Sequence, residues 1–443
     1  MPRIAMTLGA ALALIAGGPA WGQSAPYLGA NAGGASSAEV TSGNRFNPDI
    51  SLILEGNAYY DDADGEGDDL VGMAEGINHA HGGDDHGHAH GGEAPGLNLK
   101  PTELFFSASV DPYFDAFVQA VINDDGGVDL EEAYFTTRAL PAGLRVKGGK
   151  FLSGIGYHNE KHRHQWQFIE QNLPYQHLLG AHGLMDTGVQ LTWTPATPFY
   201  TRFGVEALQG DQAVVGRFDG EEALESEVPD NVVDRFGEPK QGPRLFTAFA
   251  KAAPNLGYSH ELQAGVFGVF ASDQQELHTE PADHILTGQY WLAGTDWVYA
   301  YDAPHQYGKG DIKLQAEYLY AVKDLEVAYH GANAAAVGDR REFTQDGFYL
   351  QGRYGFAANW RVGARYDMVG LTNDKAVGTT GMAADYDASS RVAANLTWTP
   401  THFSRIQAQW SRAAIATADG DDTANQYYLR YVLSMGQHGA HDF

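Results

Sequence analysis

Beyond residue 47 the chain is built of segments of about ten residues in which apolar and polar positions alternate, each stopped by a cluster of Pro, Gly or Asp, as in transmembrane β-strands. Within 360–368, Trp360, Val362, Ala364, Tyr366 and Met368 share one face, and Arg361, Gly363, Arg365 and Asp367 the other. The first face suits lipid and the second suits water. Just upstream, Phe348, Leu350 and Tyr354 oppose Tyr349, Gln351 and Arg353; later, Ile406, Ala408 and Trp410 oppose Arg405, Gln407 and Gln409. A soluble sandwich produces the same alternation, so the connections decide.

Sixteen segments fit the pattern, from 48–59 to 425–435, and fourteen or eighteen also remain open. Gaps after odd-numbered segments include the long ones, 60–97, 153–186, 210–242, 323–344 and 371–389. Gaps after even-numbered segments are short, such as Asp111-Pro112 and 400–402. Outer-membrane barrels have this asymmetry of long outer loops and short periplasmic turns, and an even count returns both termini to one side. The expected fold is all-β: a transmembrane antiparallel β-barrel of about 16 strands, porin-like, over 47–443. Leu191-Thr-Trp-Thr-Pro195 recurs as Leu396-Thr-Trp-Thr-Pro400, which would put Trp193 and Trp398 in a periplasmic aromatic girdle.

Residues 1–22 read as a secretory signal, with Arg3, an apolar run and Ala20-Trp21-Gly22 at the cleavage position. Residues 23–46, rich in Gly, Ala and Ser, read as a flexible lead-in. After residue 22 no stretch approaches the roughly 18 apolar residues of a membrane helix, so a membrane location requires a closed barrel. The protein would then reside in the outer membrane, inserted by the barrel-assembly machinery, in contact with lipid, with a homotrimer as a possible assembly.

The 443 residues contain no Cys, which excludes disulfides, thiolate metal sites and cysteine catalysis. A net charge of −28 argues against nucleic acid as a partner. Much of that charge lies in loops: residues 60–98 carry ten acids and no Lys or Arg, and 210–242 carry nine acids against three bases. The inward faces instead bear Arg202, Arg353, Arg361, Arg365, Arg405 and Arg430, with Glu206, Glu317 and Asp367. These nine are the candidate pore-lining residues. Either the arginines pair with neighbouring acids and stiffen the wall, or they face acids across a water-filled pore.

Five histidines, His79, His81, His86, His88 and His90, crowd the first loop among glycines and acids. Imidazole is a common metal ligand near neutral pH, so a transition metal is the expected ligand. A second group is His158, His162 and His164, followed by His177 and His182. On a helix His158 and His162 would share a face as a metal pair does, and a short helix between Pro174 and Gly180 is expected. Structural histidines inside a folded loop are the rival. No His-Glu-x-x-His pair or Gly-x-Ser-x-Gly elbow occurs, and no paired catalytic set stands out, so an enzyme is not expected.

Phe151-Leu-Ser-Gly-Ile-Gly-Tyr-His158, His164-Gln-Trp-Gln-Phe-Ile-Glu170, Leu184-Met-Asp-Thr-Gly-Val-Gln-Leu-Thr-Trp193 and the ending His438-Gly-Ala-His-Asp-Phe443, with the His-rich first loop, resemble the zinc-regulated outer-membrane proteins of Gram-negative bacteria. Members are sometimes labelled TonB-dependent receptors. The resemblance implies an outer-membrane barrel made when zinc is scarce. A 22-stranded transporter with a plug needs more chain than this, and 23–46 is too short for a plug, so a porin-like molecule is expected.

The combined expectation is a channel for zinc or another divalent transition metal, free or as a small complex. Loop 60–97 would capture the ion, and loop 153–186 would form a constriction or second site. No cofactor is required; Zn²⁺ is the expected ligand. The alternatives are a general diffusion porin for small polar or anionic solutes, and a non-conducting surface metal-binding barrel.

Overall fold

The computed structural model describes residues 48–436 apart from 64, 66, 75, 78–92, 125, 211, 280–281, 378–381 and 418–419. The signal segment, the lead-in, the five histidines of loop one and the chain end lie outside the described residues.

Sixteen strands close into an antiparallel barrel. They are β1 (Asp49–Asp61), β2 in two segments (Gly96–Leu99 and Thr102–Ser109), β3 (Phe114–Ile122), β4 (Val128–Thr137), β5 (Leu144–Leu152), β6 (Met185–Trp193), β7 (Tyr200–Leu208) and β8 (Leu245–Ala253). There follow β9 (His260–His278), β10 (His284–Tyr301), β11 (Ile312–His330), β12 (Arg340–Ala357), β13 (Trp360–Val377), β14 in two segments (Met382–Asp385 and Ser389–Thr401), β15 (Ser404–Thr417) and β16 (Gly420–Gly436). Each pairs with its neighbour, and β1 pairs with β16 from Ser51↔Gly436 to Asp61↔Gln426, which removes every open edge. The break in β2 falls at Lys100 and Pro101, where proline has no N–H to give the ladder.

Alternation sorts the wall as the chain pattern expects. Leu350, Val362, Leu396, Ile406 and Leu429 are exposed on the outside, whereas Gln351, Arg365, Gln407 and Arg430 are buried inside. Trp193 and Trp398 lie on the outer face near the short turns, Trp193 against Phe203 and Trp398 stacked on Trp360 with ring centroids 5.6 Å apart. An indole at that height matches the interface between hydrocarbon and headgroups.

The expected gaps 323–344 and 371–389 are corrected by the structure: strand runs on to His330, restarts at Arg340 and continues to Val377. These hairpins outrun the 9–11 residues that a tilted membrane strand needs. Their polar extensions hold together through pairs such as Arg340 Nε to Asp324 at 2.6 Å, which a periodicity search for apolar faces passes over.

Two segments turn inward. Residues 62–77, with helix α1 (Gly67–Gly72), lie over the barrel mouth, where Leu70, Val71 and Ala74 pack with Leu173, Val369, Ala413, Ile415 and Ala424. Residues 153–184, between β5 and β6, enter the barrel; Phe151, Ile155, Tyr175, Leu178 and Leu184 form one cluster with inward residues of β7 to β12, among them Leu208, Phe249 and Phe267. The apolar core of the molecule is therefore the joint between this inner loop and the wall.

Candidate functional site

The inner loop is gathered at its neck by Asn159, whose amide donates to the carbonyls of Ser153 and Leu184, both at 2.9 Å, while its Oδ1 accepts from the Leu184 amide at 2.7 Å. Gly183 sits at φ +68, and a side chain there would meet Asn159 Oδ1. Glycine is needed on both counts. Helix α2 (Leu173–Leu178) follows the expected signals: Asn172 caps it by accepting from the Tyr175 amide at 3.0 Å, Pro174 lies in its first turn, and Gly180 follows it at φ +100. The expected helical pairing of His158 with His162 is corrected. A single 3₁₀ turn spans Arg163–Gln165, and the two rings take different partners.

From this neck the loop reaches strands on every side of the lumen. His162 meets Glu132 at 2.9 Å, and His164 Nδ1 meets Glu103 at 2.9 Å. Glu206 accepts from the Gly154 amide at 2.9 Å and from the Ser153 hydroxyl. Glu160 binds Lys251 at 2.6 Å and Arg202 at 3.1 Å. Glu317 accepts from the His158 amide at 2.7 Å, Tyr175 Oη at 2.8 Å and Tyr349 Oη at 2.6 Å. Across the barrel, Arg365 binds Glu170 at 3.0 Å and Asp367 at 2.8 Å, and Arg391 binds Asp367 at 3.1 Å. Arg405 donates to the His164 carbonyl at 2.5 Å; Arg430 donates to the Trp166 carbonyl and to Glu55, both at 3.4 Å.

These contacts set the charge states within the loop. Burial would lower His162, but Glu132, then Glu103 and Glu131, raise it to about 9. Burial lowers His158 to about 4, against its bond to Gln171. His177 is also lowered to about 4, by burial and then by Arg391. Burial acts to raise Glu160, yet Lys251 and Arg202 hold it down at about 2.

All nine candidate wall residues face the interior, but they divide by environment. Arg202, Glu206, Glu317, Arg365, Asp367, Arg405 and Arg430 hold or support the inner loop. Arg353 and Arg361, with Arg405, line a cavity near the short-turn end, shared with Gln167, Asn395 and Thr397. Its lining contains no acidic side chain among the described residues. Of the second group only His162 and His164 come together, their rings stacked with centroids 5.9 Å apart, yet they bond separate glutamates; His158 bonds Gln171, His177 lies by the Val71 backbone, and His182 is exposed. Among the described residues no three His, Asp or Glu side chains converge as a metal site. His164 Nε2 is buried without a hydrogen-bond partner, while Glu103 takes the proton side of the same ring. Arg391, Lys251, Glu160, Glu103 and Glu132 were missed as site residues. For Arg391 the signal existed, because it shares a face with Ala393 and Asn395, opposite the exposed Val392 and Leu396.

Loop one is fastened at both sides of its His-rich tract. The Ile77 amide donates to Gln345 at 3.2 Å, and its carbonyl accepts from Lys323 at 2.6 Å. Glu93 accepts from Asn57 at 2.6 Å and Arg163 at 3.2 Å, pairs with Lys100, and donates its amide to Asp68 at 3.2 Å. Both anchors lie inside the mouth, on strands far apart around the barrel.

No protein-family profile matches the chain. By fold it is similar to the outer-membrane channel DcaP of Acinetobacter baumannii, with a TM-score of 0.51 and 14% identity over 88% of this chain and 97% of that one. It is similar also to an anion-selective porin from Comamonas acidovorans, with a TM-score of 0.51 and 8% identity over 88% and 99%. The molecule is a closed sixteen-stranded antiparallel barrel with the fold of the outer-membrane porins. An uncharacterized protein of Aquifex aeolicus (strain VF5) is 32% identical over 404 residues, 90% of this chain and 80% of its own, and the chain belongs to one family with it.

Proposed function

We propose that the protein is an outer-membrane channel for a divalent transition metal, zinc first, taken free or as a small complex and captured by the histidines of loop one. The observation that carries the reading is the fastening of Ile77 and Glu93 inside the mouth. The two described residues that bracket the tract of His79, His81, His86, His88 and His90 in the sequence, Ile77 and Glu93, are thus both held at the entrance. Acids in the same loop raise the local concentration of cations before any ligand bond forms. The inner loop narrows the passage below. No covalent chemistry is involved.

A second reading rests on a different observation. The cavity lined by Arg353, Arg361 and Arg405 favours small anions at the short-turn end, as in a diffusion porin for anionic solutes. The two readings meet if the metal crosses as an anionic complex. Conductance in planar bilayers, with zinc chloride and with zinc citrate, separates them. Zinc-dependent current that is lost with the five histidines supports capture. Chloride current indifferent to zinc and to those histidines supports the anion porin. A barrel with no conductance ends both.

A further inference from the structure

At the short-turn end of the lumen the strand register collects positive charge. Lys313 of β11 and Arg353 of β12 are direct partners, Arg353 is paired in turn with Gly363 of β13, and Gly363 with Asn395 of β14. Like charges directly opposite each other weaken a sheet. Lys313 turns aside to donate to Tyr157 Oη at 2.8 Å, whereas Arg353 lines the cavity with Arg361 and Arg405.

The charges around this cavity do not balance. Arg361 stands two residues from Gly363 and donates to a neutral group, the Thr399 hydroxyl, at 3.3 Å. Asp311, at the short turn, acts on Arg361 from outside the lining, and its Oδ1 already accepts from the Ala303 amide at 2.9 Å. The charges that act most strongly on Arg405 are Arg430, Glu55, Arg353 and Arg361, three cations to one acid, and Glu55 is shared with Arg430 and Arg163. The neighbourhood is therefore short of negative charge.

The space itself comes from one missing side chain and from the inner loop. Alternation turns Gly363 inward between Arg361 and Arg365, and a Cβ there would meet Asn395 Oδ1 at 2.7 Å, so glycine keeps the cavity open. The loop closes it opposite the wall with Gln167 and Phe168. Gln167 is held near the wall, its carbonyl accepting from Asn395 at 2.9 Å and from Gln407 at 2.7 Å, so the space suits a compact ion. Phe168 is buried, and an apolar neighbour strengthens the attraction between guanidinium groups and an anion. Gln167 Oε1 is buried without a hydrogen-bond partner; turned end for end, the same amide donates to an anion. The planar guanidinium fork matches the paired oxygens of carboxylate and phosphate better than a single halide.

We infer that this cavity is a binding site for one compact oxyanion, a carboxylate or a phosphate, held between Arg353 and Arg361 of the wall and Gln167 of the inner loop. The site rests on the anion reading given above and adds to it a ligand class and a fixed place of binding.

The test uses the full chain in detergent, with inorganic phosphate and formate as separate probes in isothermal titration at low chloride. A saturable site should appear for at least one probe, and the tighter probe gives the source of the oxyanion. Arg361→Gln and Arg353→Gln should each weaken it by about tenfold or more, the loss expected with a charge-assisted hydrogen bond. Arg412→Gln, which removes the same charge from an exposed position on β15, should leave the affinity unchanged. Strand circular dichroism shows that the variants remain folded barrels. No saturable site for either probe, or equal losses from Arg361→Gln and Arg412→Gln, overturns the inference. Chloride current without saturable binding keeps the anion porin and ends this site. Saturable binding that is lost in Arg361→Gln, in a barrel that passes no current, refutes the porin and leaves the site standing.

Discussion

Tyr175 of the inner loop donates its hydroxyl to Glu317 of β11 at 2.8 Å, and Glu317 also accepts from Tyr349 and from the backbone of His158. One carboxylate thus ties the loop to the wall at two points of the loop, 158 and 175. Glu317→Ala leaves three buried donors without their acceptor, at about 1–3 kcal/mol for each that water does not reach. We expect a looser inner loop, read as higher and noisier single-channel conductance. Glu317→Gln keeps an acceptor and should lie between the variant and the parent.

Docking of the inner loop should depend on pH in two directions. His162 is raised from 6.5 to about 9, so its contribution is full below pH 6.5 and is lost as pH rises through 9. His158 and His177 are lowered from 6.5 to about 4, so theirs is full above pH 6.5 and is lost as pH falls through 4. Conductance recorded from pH 4 to 10 should therefore be quietest near pH 6.5, where both contributions are full, and noisier on either side. In His162→Ala the alkaline change should vanish while the acid change stays.

Arg353 and Arg361 should govern ion preference, and Arg365 should not. The first two line the cavity, whereas Arg365 is buried against Glu170 and Asp367. A unit charge at about 4 Å is worth about 1 kcal/mol in water, a roughly fivefold change in local ion concentration. The double change Arg353→Ala and Arg361→Ala should shift the reversal potential toward cations by about that ratio or more. Arg365→Ala should instead raise current noise, because it removes one of the wall partners of Glu170, leaving Gln409 and the more distant Arg391 to hold that part of the loop.

Zinc binding by loop one should fade below about pH 6.5, where imidazoles take up protons, whereas carboxylate binding would persist to roughly pH 4 to 5. The five-histidine variant should lose most of its zinc while the wall stays folded. Uptake by cells carrying it should fall only when external zinc is scarce.

The strands could be read from the chain because each inward or outward choice repeats every second residue, as Trp360 to Met368 illustrates. The destination of the inner loop could not. Arg405 and His164 are 241 residues apart and meet only because the wall closes. Partners of the inward arginines were open for the same reason: Arg365 faces Asp367 on its own strand but Glu170 across the lumen. His278, His284 and His330 form no pattern along the chain, and only the register of β9 to β11 lines them up. The helix expected for His158 and His162 failed because buried wall carboxylates bind the segment in an irregular form.

The joint between β1 and β16 is where the cylinder closes, and the inner loop is bound to both of its sides. Arg163 lies 3.7 Å from Glu55 on β1, and Arg430 on β16 reaches both Glu55 and the Trp166 carbonyl. Glu55 and Arg430 are charges that a closing wall would otherwise bury with fewer partners. This constrains biogenesis: sealing the last pair of strands and seating residues 163–166 should be coupled, because each supplies partners to the charges that the other buries. A chain that cannot seat this segment should stall as an unsealed sheet during membrane insertion.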